Sequence, residues 1–444
     1  MLMMLSLRRK IGMRNRRKYF QGTLLNIALV LAIAFSVILT GFVFSSFGKN
    51  EAPSVSESQQ PEQRLLEMFR PTQYIVTQSN GQQKLVVNDT DEKIKGIRRA
   101  VTQSTLDEAQ TKTVTSGQIK KILSTKKSQI FRYPDVIPIS YFNTRYEQHI
   151  VAQKTFNFNY FVLPLDHKKE GYFVNTKTDQ VTTVKVSKLN SDQVWQQVDK
   201  LPTHLTVDFK AYNGRVVLNY PQKIKLPVYS YLVNHRDPKT YVSSLLGTLN
   251  QLTITQDDAE TVYTNKLNNQ QITYDPSWET VKFEDHNPKN KLPKTYLDRL
   301  NSNFSQINLL QLDLTDTRFY ESQDNGKKIT FRTYVEGFPV YFQSQSGAIH
   351  MTMDNHGNLT STYSLNELGV PVPNRQADVE LPATETVIKQ LTDAGVKTSD
   401  YNFITPGYEW LINEDSQAAV NMEPTWMIET HDGWQSVTSY LRNR

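Results

Sequence analysis

Cysteine is absent from all 444 residues. That excludes disulfides, thiolate metal sites, a cysteine nucleophile and a lipid-modified cysteine, so any folded part is held together by its core alone. Catalytic signatures are missing as well: no HExxH, GxSxG, P-loop or dinucleotide fingerprint occurs. The eight histidines, at 149, 167, 204, 235, 286, 350, 356 and 431, are scattered. Only His350 and His356 are near neighbours, and Asn355-His356-Gly357-Asn358 has the composition of a hairpin turn rather than of a metal site. Paired carboxylates at Glu284 and Asp285, and at Asp313 and Asp316, lie in polar contexts that suit solvated charge. No catalytic, cofactor-binding or metal-ligating residue is therefore assigned. Beyond residue 48 no apolar run approaches the length of a membrane span.

One such run exists before it. Tyr19 to Gly48 carries no charge, and its apolar part, Leu24 to Phe44, extends about 30 Å as a helix, enough to cross a bilayer. Arg8, Arg9, Lys10, Arg14, Arg16, Arg17 and Lys18 precede it with no acidic residue among the first eighteen. A secretory signal has a shorter apolar region of about 7–15 residues and a small-residue cleavage site that SSFGKNEAP does not supply. The segment is expected to be a retained anchor with a cytoplasmic N-terminus and an extracellular C-terminal region. Of the formal net charge of +6, those seven cations account for more than the whole, leaving −1 for the rest. The basicity thus belongs beside membrane lipid, and a nucleic-acid partner is not expected.

The expected organisation is a basic tail (1–23), a transmembrane helix (24–44), a polar spacer (45–61) and three extracellular α+β domains at 62–200, 201–290 and 291–444. Each domain is read as a small mixed sheet with packed helices. The first opens on strands 69–76 and 83–89 joined across Ser79-Asn80-Gly81. Helices are expected at Asp91 to Ala109, Ser116 to Leu123 and Ser191 to Lys200, with a β-rich stretch from 129 that includes ISYF at 139–142. The central part holds a hairpin across Tyr212-Asn213-Gly214, a helix near Pro238 to Leu249 and strands at 260–265, 270–275 and 280–285. The last part alternates a helix (Thr295 to Leu309), hairpins turning at 324–326 and 355–358, a helix (Ala383 to Ala394) and two aromatic strands whose Tyr and Trp supply core. Leu381-Pro382-Ala383-Thr384-Glu385 imitates a sortase signal but has Glu where Gly is required, and reads as a helix start.

FRPTQYIV at 69–76, FRYPDVIPISYF at 131–142, RTYVEGFPV at 332–340, LPATETVIKQL at 381–391 and GYEWLINEDSQAAVNMEPTWMIE at 407–429 resemble the YycH (WalH) family. The resemblance implies a single-pass membrane protein of Gram-positive bacteria with a three-domain extracellular part, not an enzyme. It also implies work on an essential sensor histidine kinase, WalK (YycG), of the two-component system that adjusts cell-wall metabolism, together with a similarly anchored sister protein, YycI. The longer basic tail departs from the family pattern.

The residues expected to carry function lie inside the anchor. Ala28, Ala32, Ser36 and Thr40 recur at every fourth position and place a strip of small residues on one helix face. Such strips let transmembrane helices approach closely, and a hydroxyl of Ser36 or Thr40 can bond across the contact. The alternative is an extracytoplasmic wall-associated protein that holds peptide or glycan in its aromatic-rich third part.

Overall fold

The computed structural model describes residues 61–443, apart from 88–89, 152–154, 167–168, 199–203, 213, 311, 313–315, 342–346, 375 and 414–415. The basic tail, the anchor and nearly all of the spacer lie outside the described residues. Gln60 to Arg444 forms one compact unit.

Nine helices lie among the described residues: α1 Pro61–Met68, α2 Thr90–Gln103, α3 Ser116–Leu123, α4 Ile139–Arg145, α5 Ser191–Val198, α6 Pro238–Leu246, α7 Tyr296–Leu309, α8 Thr384–Asp393 and α9 Val437–Arg442. Nine strands form the first sheet: β1 Gln73–Thr77, β2 Gln83–Val86, β3 Thr105–Thr113, β4 Ser128–Pro138, β5 Asn157–Pro164, β6 Glu170–Asn175, β7 Gln180–Ser187, β8 His204–Tyr212 and β9 Arg215–Asn219. They run antiparallel in the order β3-β7-β6-β5-β4-β1-β2-β8-β9.

The remaining strands are β10 Ile224–Leu226, β11 Tyr229–His235, β12 Thr253–Gln256, β13 Thr261–Asn265, β14 Gln270–Asp275, β15 Thr280–Asp285, β16 Thr317–Gln323, β17 Lys328–Val335, β18 Phe338–Tyr341, β19 Ala348–Met353, β20 Leu359–Ser364, β21 Asn366–Val372, β22 Val379–Leu381, β23 Tyr401–Asn413, β24 Ser416–Thr430 and β25 Gly433–Ser436. Apart from the β10–β22 pair, they make one fourteen-stranded sheet along the path β12-β13-β14-β15-β20-β19-β17-β18-β23-β24-β11-β21, with β16 on β17 and β25 on β24. Its β18–β23 pairing is parallel. Because β21 follows β20 after the single residue Leu365, the path from β20 round to β21 returns to its own start.

The α+β class is as expected, but the sheets are large. Hydrogen-bonded pairing crosses the expected boundaries at 201 and 290: β8 joins the first sheet through β2, with Leu85 opposite Leu205, and β15 joins β20, with Phe283 opposite Ser361. Both faces of the first sheet are covered, which is why β1 is buried throughout. One face (Tyr74, Val76, Phe131, Phe161, Phe173) packs with α2, α4 and α5 in a core that continues to Leu300, Phe331 and Tyr363. The other (Ile75, Ile130, Val162, Phe209) packs with α3 and α8 and continues to Tyr408, Trp410 and Trp426.

Two expected elements change type. The α2 helix stops before Ser104, whose N–H and hydroxyl both donate into the last turn, and Leu106 lies on β3 against β7 instead of extending the helix. ISYF is not strand: β4 ends at Pro138 and α4 begins there, burying Ile139, Tyr141 and Phe142 on one side. In both places pairing and burial against distant residues outweigh a local preference of a few tenths of a kcal/mol per residue.

Candidate functional site

The anchor face of Ala28, Ala32, Ser36 and Thr40 lies outside the described residues, so the candidates within the outer body are those the fold itself assembles. Among the described residues no group of three or more His, Asp or Glu side chains is placed to hold a metal ion. His356 occupies the β19–β20 turn, where its N–H and that of Asn358 donate to Asp354 Oδ1 at 2.7 and 2.9 Å. His350 instead sits on β19 and shares a hydrogen bond with Thr330 Oγ1 across to β17 at 3.2 Å. Asp285 is used in turn formation, accepting from Asn287 N at 2.9 Å and Asn290 Nδ2 at 3.0 Å, and Glu284 pairs with Lys282 at 2.9 Å. Asp313 is outside the described residues.

Asp316 does reach a cavity. Where the large sheet returns on itself, β11 and β21 face β17, β19 and β20 across a space of about 330 Å³. Its polar lining includes Asn234, Arg236, Asp316, Thr333, Asn366 and Glu367. The volume is at the lower end for small-molecule sites. Two of its charges pair with each other, Arg236 Nε lying 2.6 Å from Glu367 Oε1. Among the described residues of its lining, polar and charged side chains suited to recognising a small polar group predominate over apolar ones.

A second assembly lies nearby. Arg332 projects from β17 and its guanidinium carbon stands 4.8 Å from the centre of the Tyr320 ring and 4.6 Å from that of Tyr341. Trp434, on β25, closes the group at 5.0 Å from Tyr341 and 5.9 Å from Tyr320. Aromatic cages of this kind hold cations. Here the cation is the chain's own arginine, so the cage is occupied and serves the fold. Beside it Glu429 lies in register with Phe403 on one side and Trp434 on the other. Desolvation pushes its carboxyl up to about 7, the Glu321 charge adds to this, and Arg215, Lys177 and Arg332 oppose it. Sequence reading passed over this group; the available signal was a lone arginine within an otherwise aromatic and β-branched strand, TFRTYV.

Profiles of known families match nearly the whole chain, the YycH protein N-terminal domain over residues 23–203 and the YycH protein C-terminal domain over residues 221–444. The chain belongs to the YycH family. Its fold is similar to that in the crystal structure of YycH from Bacillus subtilis, with a TM-score of 0.68 over 85% of this chain and 97% of that one, at 14% sequence identity. A comparison with curated proteins finds no match. YycH-family membership suggests a regulator of the WalK system and implies association with a histidine kinase; it is a regulatory family and not a known enzyme family.

Proposed function

We propose that this YycH-family protein is a non-enzymatic regulator of a WalK-like, cell-wall-sensing histidine kinase. It is anchored by residues 24–44 with its N-terminus in the cytoplasm and its body outside, in the membrane of a Gram-positive bacterium. The Ala28, Ala32, Ser36 and Thr40 face packs on a transmembrane helix of the kinase or of a YycI-like sister protein, while the outer body contacts the sister. Binding biases the kinase between two arrangements, which requires a coupling free energy of only about 1–3 kcal/mol.

The observation that carries this reading is that the family profiles run from residue 23 to the C-terminal end. The attachment of α1, the first helix after the spacer, also supports it. Arg64 on α1 donates to Asn308 Oδ1 at 2.8 Å and to the Leu312 carbonyl at 2.6 Å. Phe69, just past α1, packs in tilted ring contacts with its centroid 4.9 Å from that of Phe319 and 4.7 Å from that of Tyr141. An anchor drawn through the spacer therefore acts on an element tied to both the first and the second half of the body. The wall-binding alternative finds less support, because Tyr408, Trp410 and Trp426 of the aromatic strands are buried and present no face for stacking.

The test replaces Leu24 to Phe44 with an unrelated transmembrane helix while the body and tail are kept. Kinase output, read as phosphorylation of the response regulator, is expected to move to the level seen without the protein. Unchanged output with normal surface display would rule out helix packing as the mechanism.

A further inference from the structure

Arg332 is a buried cation that rests on rings instead of on a carboxylate. The residue is 7% exposed, yet among the described residues no acidic side chain pairs with it, and its guanidinium lies 4.8 and 4.6 Å from the centres of Tyr320 and Tyr341. The two tyrosine hydroxyls bond each other at 2.9 Å, which joins the rings into one support. This arrangement leaves donors unused. Arg332 Nε is buried with no hydrogen-bond partner, and so is Nε1 of Trp434, the indole that closes the group. Buried donors are ordinarily satisfied, and a charge taken out of water is ordinarily matched by an opposite one.

An acceptor for both donors stands alongside. Glu429 is the cross-strand partner of Trp434 in the β24–β25 hairpin, so the two side chains share a face, and Phe403 of β23, 6.4 Å from Trp434, flanks it on the other side. The half-buried Glu429 carboxyl feels charge from Glu321 on β16, Arg215 on β9, Lys177 in the turn from β6 to β7 and Arg332 on β17, and the Tyr341 hydroxyl of β18 lies within reach of its charge. Of the three cations, Lys177 is engaged 2.7 Å from Asp135 and 3.0 Å from the Ser322 carbonyl, and Arg215 is exposed. Arg332 is the buried one, with its Nε unspent. Burial and the Glu321 charge keep the Glu429 carboxyl protonated up to about pH 7. While neutral, it gives the guanidinium no cause to leave the rings. Once ionised it is the stronger partner, because a carboxylate in a low-dielectric setting attracts a guanidinium more than a ring quadrupole does.

We propose that Arg332 and Glu429 form a proton-controlled latch. With the carboxyl neutral, the arginine is clasped by Tyr320 of β16 and Tyr341 of β18. With the carboxyl ionised, the arginine turns to Glu429, which also accepts from Trp434 Nε1, and the tie passes from the tyrosine pair to the β24–β25 hairpin. That hairpin leads directly into α9, so the proton concentration around the body sets how the end of the chain is held.

The experiment follows Trp434 fluorescence, taken as wild type minus Trp434→Phe, in the full chain in micelles of an uncharged detergent, from about pH 5 to about pH 9. The expected result is one transition with its midpoint at about pH 7, absent from Glu429→Gln. Arg332→Gln should raise that midpoint by about one unit, a tenfold gain in proton affinity, because the ionised carboxyl loses its partner. An arginine that stayed on its rings would remain the weakest of the three cations acting on Glu429, and its removal would leave the midpoint in place. Circular dichroism at each pH separates titration from unfolding. A second readout uses the wild-type side chain and does not need Arg332→Gln to fold: the Nε–H resonance of nitrogen-15-labelled Arg332, identified by its loss in Arg332→Lys, should shift with the same midpoint. A flat fluorescence profile, a transition that survives in Glu429→Gln, an unmoved midpoint in Arg332→Gln or an Arg332 resonance indifferent to pH would overturn the latch. None of these outcomes depends on a kinase, so failure here is distinguishable from failure of the helix-replacement test.

Discussion

Two side chains give the body opposite responses to pH. Burial, aided by the Arg332 charge, lowers the His350 imidazole to about 4. Between its ordinary value near 6.5 and that figure, the unfolded chain takes up a proton that the folded one refuses, so stability is full above pH 6.5 and declines as pH falls toward 4. The loss attributable to this residue is about 2 kcal/mol between pH 7.5 and 5. In urea titrations at those two pH values, the unfolding free energy of wild type should fall by about 2 kcal/mol more than that of His350→Gln. Glu429 works in the other direction. Its raised carboxyl favours the folded state below pH 4.5, and that contribution is lost as pH rises through about 7. With solvent screening allowed for, Glu429→Gln should gain about 1–2 kcal/mol at pH 8 and little at pH 5, read from the same titrations. Neither residue is marked in the sequence. A histidine flanked by alternating apolar positions on β19 and a glutamate in an aromatic strand acquire their character from what covers them.

At the scale of the element, the segments that local chemistry specifies were the legible ones. The α3 helix begins where Thr115 and Gln118 cap each other reciprocally, and α7 begins where Thr295 and Asp298 do the same. Hairpins followed Asn-Gly and Asp-Asn-Gly turns. The turn from β17 to β18 is of this sort but carries an additional duty. Glu336 and Gly337 both have positive φ, as a two-residue hairpin of the I′ kind needs, and a Cβ at Gly337 would lie 2.6 Å from the Thr72 carbonyl oxygen. Gly337→Ala combines an unfavourable left-handed backbone with a collision against backbone from the first half. It should cost about 2–4 kcal/mol in chemical denaturation. A result below 1 kcal/mol would mean that the hairpin and the α1–β1 connection separate easily. The expected helix to Ala109 and the expected strand at 139–142 failed because Ser104 and Pro138 set boundaries that hydrophobic spacing alone does not reveal.

The whole molecule is held by contacts between segments far apart in the chain. Asp135, in the irregular part of β4, accepts from Ser322 N at 2.7 Å and from Lys177 Nζ at 2.7 Å, and Lys177 donates in turn to the Ser322 carbonyl at 3.0 Å. Tyr296 donates to the Val136 carbonyl at 2.7 Å and Tyr141 to Asn301 at 2.9 Å. Asp135→Ala leaves a buried N–H and an ammonium without their shared acceptor and should cost about 3 kcal/mol. If the body unfolds as one unit, calorimetry of wild type shows a single transition, and this variant should broaden it or divide it in two. A variant that melts in one sharp, merely lower transition would place the coupling in the two apolar cores instead.

By itself the amino-acid sequence determined what depends on near neighbours: an uncharged run of spanning length after a basic tail, caps and turns, most strands, the absence of thiol chemistry, and the phrases that resemble YycH. Tertiary structure alone decided which strands share a sheet, that β8 extends the first sheet while β15 joins β20, and that Arg332 fills its own aromatic cage. It also set the Glu429 carboxyl of β24 near that arginine of β17. The physical reason is range. Capping, turn formation and hydrophobic spacing act within a few residues, whereas burial, desolvation and strand pairing depend on partners that only the folded chain brings together.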